Sequence, residues 1–410
     1  MPMKTILAAA VVFASLFIIH DSAFGQGALT PPGPPGATML TLSQVEPRTP
    51  ISSLPLNITQ PGSYYLTTNL TAGAIGGIVI FTNGVTVNLN GFTISSAASG
   101  TSGAGIYINP SGSALRNITI LNGFIQSSVT NNGSGVYSGN GFNWGIYYNG
   151  TPANVRVSGV SVSGVLDHGI YLGTGTTLVE DCEVRTAGAY GIVASIVKSC
   201  TALDIGGGAI SADQVADCRG ESKVNGYGIY ATTTVRDSYG WSTNGNIGIY
   251  SGGTAQNCYG YSYGANGIGV SAVTSAINCF GYNALGGTGV NTGGNAENCY
   301  GQNIDSGTGI NGATLNNCYG ISYTGAGVFA VNALNCLGFC NVGGAGSYGL
   351  YTATGENSYG YNGGSGYGFY ASSTALNCVG SSTSGTGLSA FIANSCHANT
   401  ISATHNVNSY

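Results

Sequence analysis

The sequence of 410 residues predicts an all-β protein built as a right-handed parallel β-helix, a solenoid of about 12 regular coils preceded by longer N-terminal ones. Three observations predict it. One phrase recurs through the C-terminal half at a mean spacing near 19.5 residues. Glycine supplies 70 residues while charged residues make up 6%, where an ordinary domain carries about 25% charge. Nowhere does the chain carry the Leu, Ala, Glu and Lys content at a 3.6-residue period that a helical bundle needs. The same arithmetic excludes other classes. Eleven prolines without a Gly-x-y period exclude collagen. A hydrophobic content of 43% excludes charge-driven disorder. A pI of about 5.2, with no Lys or Arg after Arg236, lacks the basic footprint of a nucleic-acid binder.

Taken in order, residues 1–25 read as a signal peptide. Lys4 gives a positive start, residues 5–19 are apolar but short for a membrane span, and Ala23-Phe24-Gly25 places small residues for cleavage before Gln26. Residues 26–50 are a Pro-rich leader, with Thr-Pro-Pro-Gly-Pro-Pro-Gly at 30–36 favouring an extended spacer. Residues 51–410 are expected to form one domain, with a cap and long coils over 51–165 and regular coils over 166–410. No later apolar stretch approaches 18 residues, so no transmembrane span is expected in the mature chain, which is placed outside the cell or at its surface.

The repeat begins Gly-aliphatic-Tyr, as at Gly228-Ile229-Tyr230 and Gly248-Ile249-Tyr250. It continues into Asn-Cys-Tyr-Gly-Tyr, as at Asn257-Cys258-Tyr259-Gly260-Tyr261. A cysteine column fixes its period: Cys182, Cys200, Cys218, Ser238, Cys258, Cys279, Cys299, Cys318, Cys336, Ser358, Cys378 and Cys396, at steps of 18 to 22 residues. One unit cannot bury its own apolar side; stacked units pair every strand with its copies above and below. Identical positions then form ladders about 4.8 Å apart, and twelve rungs make roughly 58 Å of rod. The small polar residue before each column member is expected to point inward and bond to the next rung. Glycine is expected to supply positive φ at the bends.

These phrases resemble the right-handed parallel β-helix repeat of the pectin-lyase-like superfamily, in its exported bacterial form. The resemblance extends upstream through Ile58-Thr59-Gln60-Pro61-Gly62-Ser63-Tyr64-Tyr65-Leu66 and Val85-Thr86-Val87-Asn88-Leu89-Asn90-Gly91-Phe92-Thr93-Ile94, and so covers about 51–410. It implies the fold. For function it implies a choice among lyases, hydrolases, epimerases, tailspikes and adhesins, because sites are grafted on folds.

The eleven cysteines are expected to remain thiols. Ladder neighbours carry parallel Cβ vectors about 4.8 Å apart, beyond the separation a disulfide prefers. No histidine joins the column, and its geometry is linear, so no metal is expected there. Cys340 is read as a free thiol off the ladder.

Most of the 23 charged residues lie between 156 and 237. If the ladder cysteine points inward, alternation sends Glu183 and Arg185, and then Arg219 and Glu221, outward, with Lys223 beside them. Resemblance to polysaccharide lyases implies a basic group that abstracts the proton beside a uronate carboxyl and a cation that stabilises the enolate, and it makes Arg185, Arg219 and Lys223 the candidate cations. Asp181, Asp217 and Asp237 fall in the bend column, so calcium enters only under that alternative and no cofactor is otherwise expected. Asp167-His168-Gly169 resembles a polygalacturonase segment without its partner carboxylates, and glycoside hydrolysis needs two. A turn role for His168 is the simpler expectation.

Two aromatic columns are predicted to face outward: Tyr239, Tyr259, Phe280, Tyr300, Tyr319 and Tyr359, and Trp241, Tyr261, Tyr282 and Tyr361. Such rows either stabilise the sheet rung to rung or offer rings to sugars or another protein. Insertions at 97–104 and 127–144, the second with Phe142 and Trp144, are further candidate loops. The expected function is therefore a non-catalytic extracellular or surface protein contacting polysaccharide or another surface. The alternatives are a polysaccharide lyase or glycoside hydrolase acting on uronate-type polymers, and a matrix element without ligand.

Overall fold

The structure, a computed structural model, describes residues 46–407 except 74–75, 101–102 and 111–113; the expected signal peptide and the leader up to residue 45 lie outside the described residues. Ahead of the solenoid, the Arg48 guanidinium donates to both carboxylate oxygens of Glu46, at 2.6 and 2.7 Å. Residues Thr49–Tyr410 form one compact unit. It is a parallel β-solenoid of about 17 turns, somewhat more than the repeat count suggested because the N-terminal coils also close.

Each regular coil has three strands, here named by face. In one coil the first face is Ile247–Ser251, the second Thr254–Gln256 and the third Tyr259–Ser262. Each pairs in parallel with its copy in the next coil: Ile249 with Val270, Ala255 with Ala276, Gly260 with Gly281. The first two strands often run on as one, as in Thr308–Asn316.

The bend between the second and third faces is where the expectation about glycine fails. The residue before each ladder cysteine holds the left-handed conformation: Asn257, Asn278, Asn298, Asn317, Asn335, Asn357 and Asn377 have φ between 50° and 53°. Asn and Asp tolerate this region because their short polar side chains bond locally. The same residues point outward and are exposed, not inward as predicted. Their amides still form a ladder, Asn278 Nδ2 donating to Asn257 Oδ1 at 3.1 Å and Asn298 Nδ2 to Asn278 Oδ1 at 3.2 Å. Positive-φ glycines are almost confined to the part of the chain before residue 174, Gly346 being the later exception.

In the regular coils glycine serves close approach. Gly240, Gly260, Gly281, Gly301 and Gly320 are inward positions of the third face, and Gly248, Gly269, Gly289, Gly309 and Gly327 of the first. A Cβ on Gly260 would overlap the Gly269 carbonyl, and one on Gly269 would overlap the Tyr282 amide. The two sheets meet backbone to backbone along that edge. One aliphatic side chain per coil, such as Ile249, Val270, Val290 or Ile310, fills the space that remains beside it.

The cysteine column is buried and all eleven cysteines are free. Each member donates its thiol or hydroxyl to the carbonyl two residues before it, as Cys258 Sγ does to Gln256 at 3.1 Å, and several also accept a backbone N–H from the preceding rung. Cys182 N donates to Cys200 Sγ and Cys279 N to Cys299 Sγ, both at 3.4 Å. Where serine interrupts the column it does the same work: Cys218 N donates to Ser238 Oγ at 3.2 Å and Cys336 N to Ser358 Oγ at 3.0 Å. Cys340 lies in a different column, paired with Ser322 and Asn362. That column, Ser242, Ser262, Asn283, Asn303, Ser322, Cys340, Asn362 and Ser382, is fully buried. It ties down the corner between the third and first faces. Asn303 Nδ2 donates to the Leu285 and Gly287 carbonyls at 2.7 and 3.0 Å, while its Oδ1 accepts from the Asp305 and Gly307 amides.

The insertion at 127–144 folds back as a two-strand hairpin, Thr130–Asn131 against Tyr137–Ser138, docked on the third face. Phe142 is buried in the core and presents nothing to solvent. Trp144 opens the first-face strand Trp144–Tyr148 rather than sitting in a loop.

Candidate functional site

The groups that sequence singled out lie on two faces, the aromatic rows and the cations on the third and Asp167 with His168 on the first. The third face holds the aromatic rows. Tyr239, Tyr259, Phe280, Tyr300 and Tyr319 stack in sequence with centroids 5.1, 4.6, 4.9 and 5.0 Å apart and interplanar angles of 9–23°. Tyr261 stacks on Tyr282 at 4.4 Å, whereas Trp241 meets Tyr261 edge-on. Alternation places these side chains outward and the glycines between them inward, as the repeat requires. Stacking uses up the ring faces, so the rows show solvent their edges and hydroxyls rather than flat platforms. Burial against the neighbouring rings pushes the Tyr239, Tyr259, Tyr261 and Tyr300 phenols up, so these hydroxyls stay protonated. Beside the rows, the corner carries an exposed ridge of Tyr263, Leu285, Ile304, Tyr323 and Val342.

The charged end of the third face holds Arg185, Arg219 and Lys223, and each is engaged. Arg185 is ion-paired with Glu183 and Lys223 with Glu221. Arg219 lies over the Tyr239 ring at 5.4 Å and Lys223 over Trp241 at 5.5 Å. Glu221 is only 8% exposed, not solvated as alternation alone suggests. Its near neighbour is the docked hairpin, where Tyr137 OH and Asn131 Nδ2 both donate to Asp204 Oδ1, at 3.2 and 2.6 Å. Burial first, and the Asp204 charge second, push the Tyr137 phenol strongly up.

Asp167 and His168 sit on the first face, away from those cations, in a cluster that sequence reading did not assemble. Trp144 Nε1 donates to Asp167 Oδ2 at 3.0 Å, and Asp167 Oδ1 lies 3.3 Å from His168 Nδ1. His168 is no plain turn residue. Its ring stacks on Tyr171 at 4.7 Å and lies between Tyr147 and Tyr190. Burial lowers its pKa, against the opposing pull of Asp167. Tyr190 N–H donates to His168 Nδ1 at 3.3 Å, which leaves Nε2 to carry the proton of the neutral ring. The signal that could have found this cluster was the tyrosine of Gly-Ile-Tyr itself, since Tyr107, Tyr147 and Tyr171 share one register.

A shallow depression of about 340 Å³ lies on the second face, with Lys198 and Arg236 in its wall. Both register with Ala216, one on each side of it, and neither has an ion-pair partner among the described residues. Asp181, Asp217 and Asp237 stand in the left-handed bend column, where Asp237 accepts from Asn257 Nδ2 at 2.8 Å. Among the described residues no three His, Cys, Asp or Glu side chains gather so as to hold a metal ion, and no helix is long and apolar enough to cross a membrane.

No protein-family model matches the chain, and no curated protein matches it either. Among solved structures it is similar to the A-module of a mannuronan C-5 epimerase of Azotobacter vinelandii, at 12% identity over 85% of this chain and 88% of that one, with a TM-score of 0.29. A likeness that loose carries no argument about activity. The parallel solenoid stands on the strand register itself.

Proposed function

We propose that the protein is a non-catalytic extracellular or surface protein that lies along a polysaccharide by its third face. The observation that carries this reading is the unbroken stack of Tyr239, Tyr259, Phe280, Tyr300 and Tyr319 beside an apolar ridge, on coils that bear only Glu297, Asp305 and Glu356 as charges after Asp237. A nearly uncharged rod suits a neutral polymer. The tyrosine edges and hydroxyls, repeated in each coil from Tyr239 to Tyr319, suit its recurring hydroxyl groups. Export by residues 1–25 belongs to the same proposal. Changing Tyr259, Tyr261, Tyr282 and Tyr300 to Phe keeps the stacks and removes the hydroxyls. Retention on insoluble neutral polysaccharides should then fall at least severalfold, and unchanged retention in this variant and in the matching Ala variant would sink the reading.

One observation favours a second reading as an enzyme, the convergence of Asp167, His168 and Trp144 on the first face. It predicts release of oligosaccharides from a uronate polymer, assayed with and without calcium and lost in Asp167→Asn. The lyase cations Arg185, Arg219 and Lys223 argue against it, because their charges are already spent within the third face.

A further inference from the structure

The hairpin inserted at 127–144 roofs a cleft on the third face that the tyrosine rows do not explain. Its tip, residues 133–135, forms one wall; Asp204, Lys223, Thr243 and Asn244 form the other, around about 460 Å³. That volume is within the ordinary range for small-ligand sites, roughly 300–1,000 Å³.

The cleft is built rather than incidental. Asn131 Oδ1 accepts from the Gly133 and Gly135 amides at 3.0 and 3.1 Å, and Asn132 Oδ1 accepts from Ser134 and Val136 at 2.8 and 3.2 Å, so the tip is held in one shape. Asp204 anchors the hairpin to the solenoid. Its Oδ1 takes Asn131 and Tyr137, and its Oδ2 takes the Thr186 hydroxyl at 2.8 Å. Asp204 and Thr186 both have left-handed backbone, φ 56° and 55°, and the strand register shifts at Asp204. The sheet is bent out of its regular path where the hairpin lands.

A second observation points to an occupant. Thr243 Oγ1, in the cleft wall, and Trp241 Nε1, two residues before it, are buried and have no hydrogen-bond partner. Buried polar groups are satisfied in the great majority of native sites, and an orphan needs a reason. Turning about its Cα–Cβ bond would bring the Thr243 hydroxyl, the one of the two that belongs to a lining residue, onto a ligand hydroxyl, which both donates and accepts. The charge balance narrows the class. Lys223 is neutralised by Glu221, which leaves the Asp204 carboxylate as the uncompensated charge of the lining. That favours a neutral ligand over a carboxylated one.

We propose that this cleft binds a single neutral pyranose, the end or a side branch of the polysaccharide along which the third face lies. The inference rests on the proposed function but is tested apart from it. The chain has two tryptophans. In a Trp144→Phe background, Trp241 reports on the cleft by fluorescence. This protein is titrated with the methyl glycosides of glucose, galactose and mannose, and with sodium glucuronate. The expected result is a saturable change with at least one neutral glycoside and affinity at least tenfold weaker for glucuronate. Thr243→Val and Asn244→Ala should each weaken neutral binding by about tenfold, while the Tyr259/Tyr261/Tyr282/Tyr300→Phe variant should bind the glycoside unchanged. Absence of saturation with every neutral glycoside overturns the proposal, as does equal affinity in Thr243→Val and Asn244→Ala, or tighter binding of glucuronate. Loss of polymer retention in the tyrosine variant with glycoside binding intact separates the two surfaces.

Discussion

The N-terminal and C-terminal coils close the same solenoid around different interiors. Before about residue 165 the core is aliphatic: Ile58, Ile78, Ile80, Ile106, Ile108, Ile118, Ile120 and Val157 are all at or below 1% exposure. After about residue 228 the inward positions are chiefly Gly, Ala, Cys, Ser and Asn, with one or two larger aliphatic or aromatic side chains per coil. There the large side chains have moved outside, onto the stacked tyrosines. The first region is held by apolar area removed from water. The second is held by backbone contact between two faces, by buried side chains that satisfy bend and corner amides, and by rings stacked on the exterior. A solenoid can thus trade a filled core for a clad surface without changing its strand register.

The comparison can be broken most sharply at the glycine contact. Gly260→Ala should cost more than about 4 kcal/mol, because the new methyl meets the rigid Gly269 carbonyl rather than a side chain that can turn away. Gly73→Ala, where nothing lies within 4 Å, should stay within about 0.5 kcal/mol. Long repeat arrays need not unfold in one step, so amide exchange in the flanking coils is the measurement. Equal effects at the two positions would contradict a backbone-packed interior. In the N-terminal region Ile106→Ala should cost about 3 kcal/mol as an ordinary cavity, read by the same exchange in adjoining coils. A much smaller loss would mean that this core is looser than its burial indicates.

The cysteine column sharpens the contrast on a finer scale. Cys299→Ala leaves the Cys279 N–H buried without an acceptor and should cost about 1–2 kcal/mol. Cys299→Ser, which copies what the chain already does at Ser238 and Ser358, should cost less. The reverse order in denaturant unfolding would show that thiol packing, not the hydrogen bond, sustains the column. Smallest is a pH effect at His168. Burial holds its folded pKa below the ordinary value of about 6.5. The unfolded chain therefore takes up the proton first as pH falls. The stabilisation is complete above that value and is lost as pH drops through it toward the folded pKa. His168→Phe keeps a ring in the stack and should flatten the slope relative to the parent just below about pH 6.5; an identical slope would place the titration elsewhere.

Much of this fold was legible because a solenoid writes each interior position many times over. The cysteine period gave the coil length, and alternation from it oriented both tyrosine columns and the glycines between them. The errors have physical causes. Glycine is the expected bend residue because it reaches positive φ freely, yet Asn and Asp reach it too, and here one of them, or Ser at Ser199 and Ser395, stands directly before each member of the ladder column. That left the paired glycine columns without their real duty. The buried Ser and Asn column was missed because its members vary in identity while keeping one task. Contacts across coils, such as the hairpin on Asp204 or Trp144 on Asp167, leave no periodic trace, so the candidate sites were far less readable than the frame that holds them.

The spacing within each glycine pair sets how this chain can change length. Gly320 and Gly327 are seven residues apart, Gly338 and Gly349 eleven, and both pairs bring the same two faces together. The loop between partners absorbs the difference at the corner. The rest of the coil varies by a single residue, Gly289 to Gly301 spanning 12 and Gly309 to Gly320 spanning 11, so longer material inserted there slides one glycine away from its partner and sets a side chain against backbone. Duplication or deletion of whole coils keeps every pair intact. Lineages of such a protein should therefore differ in length by complete turns or by corner loops, and the rod becomes longer or shorter without growing thicker.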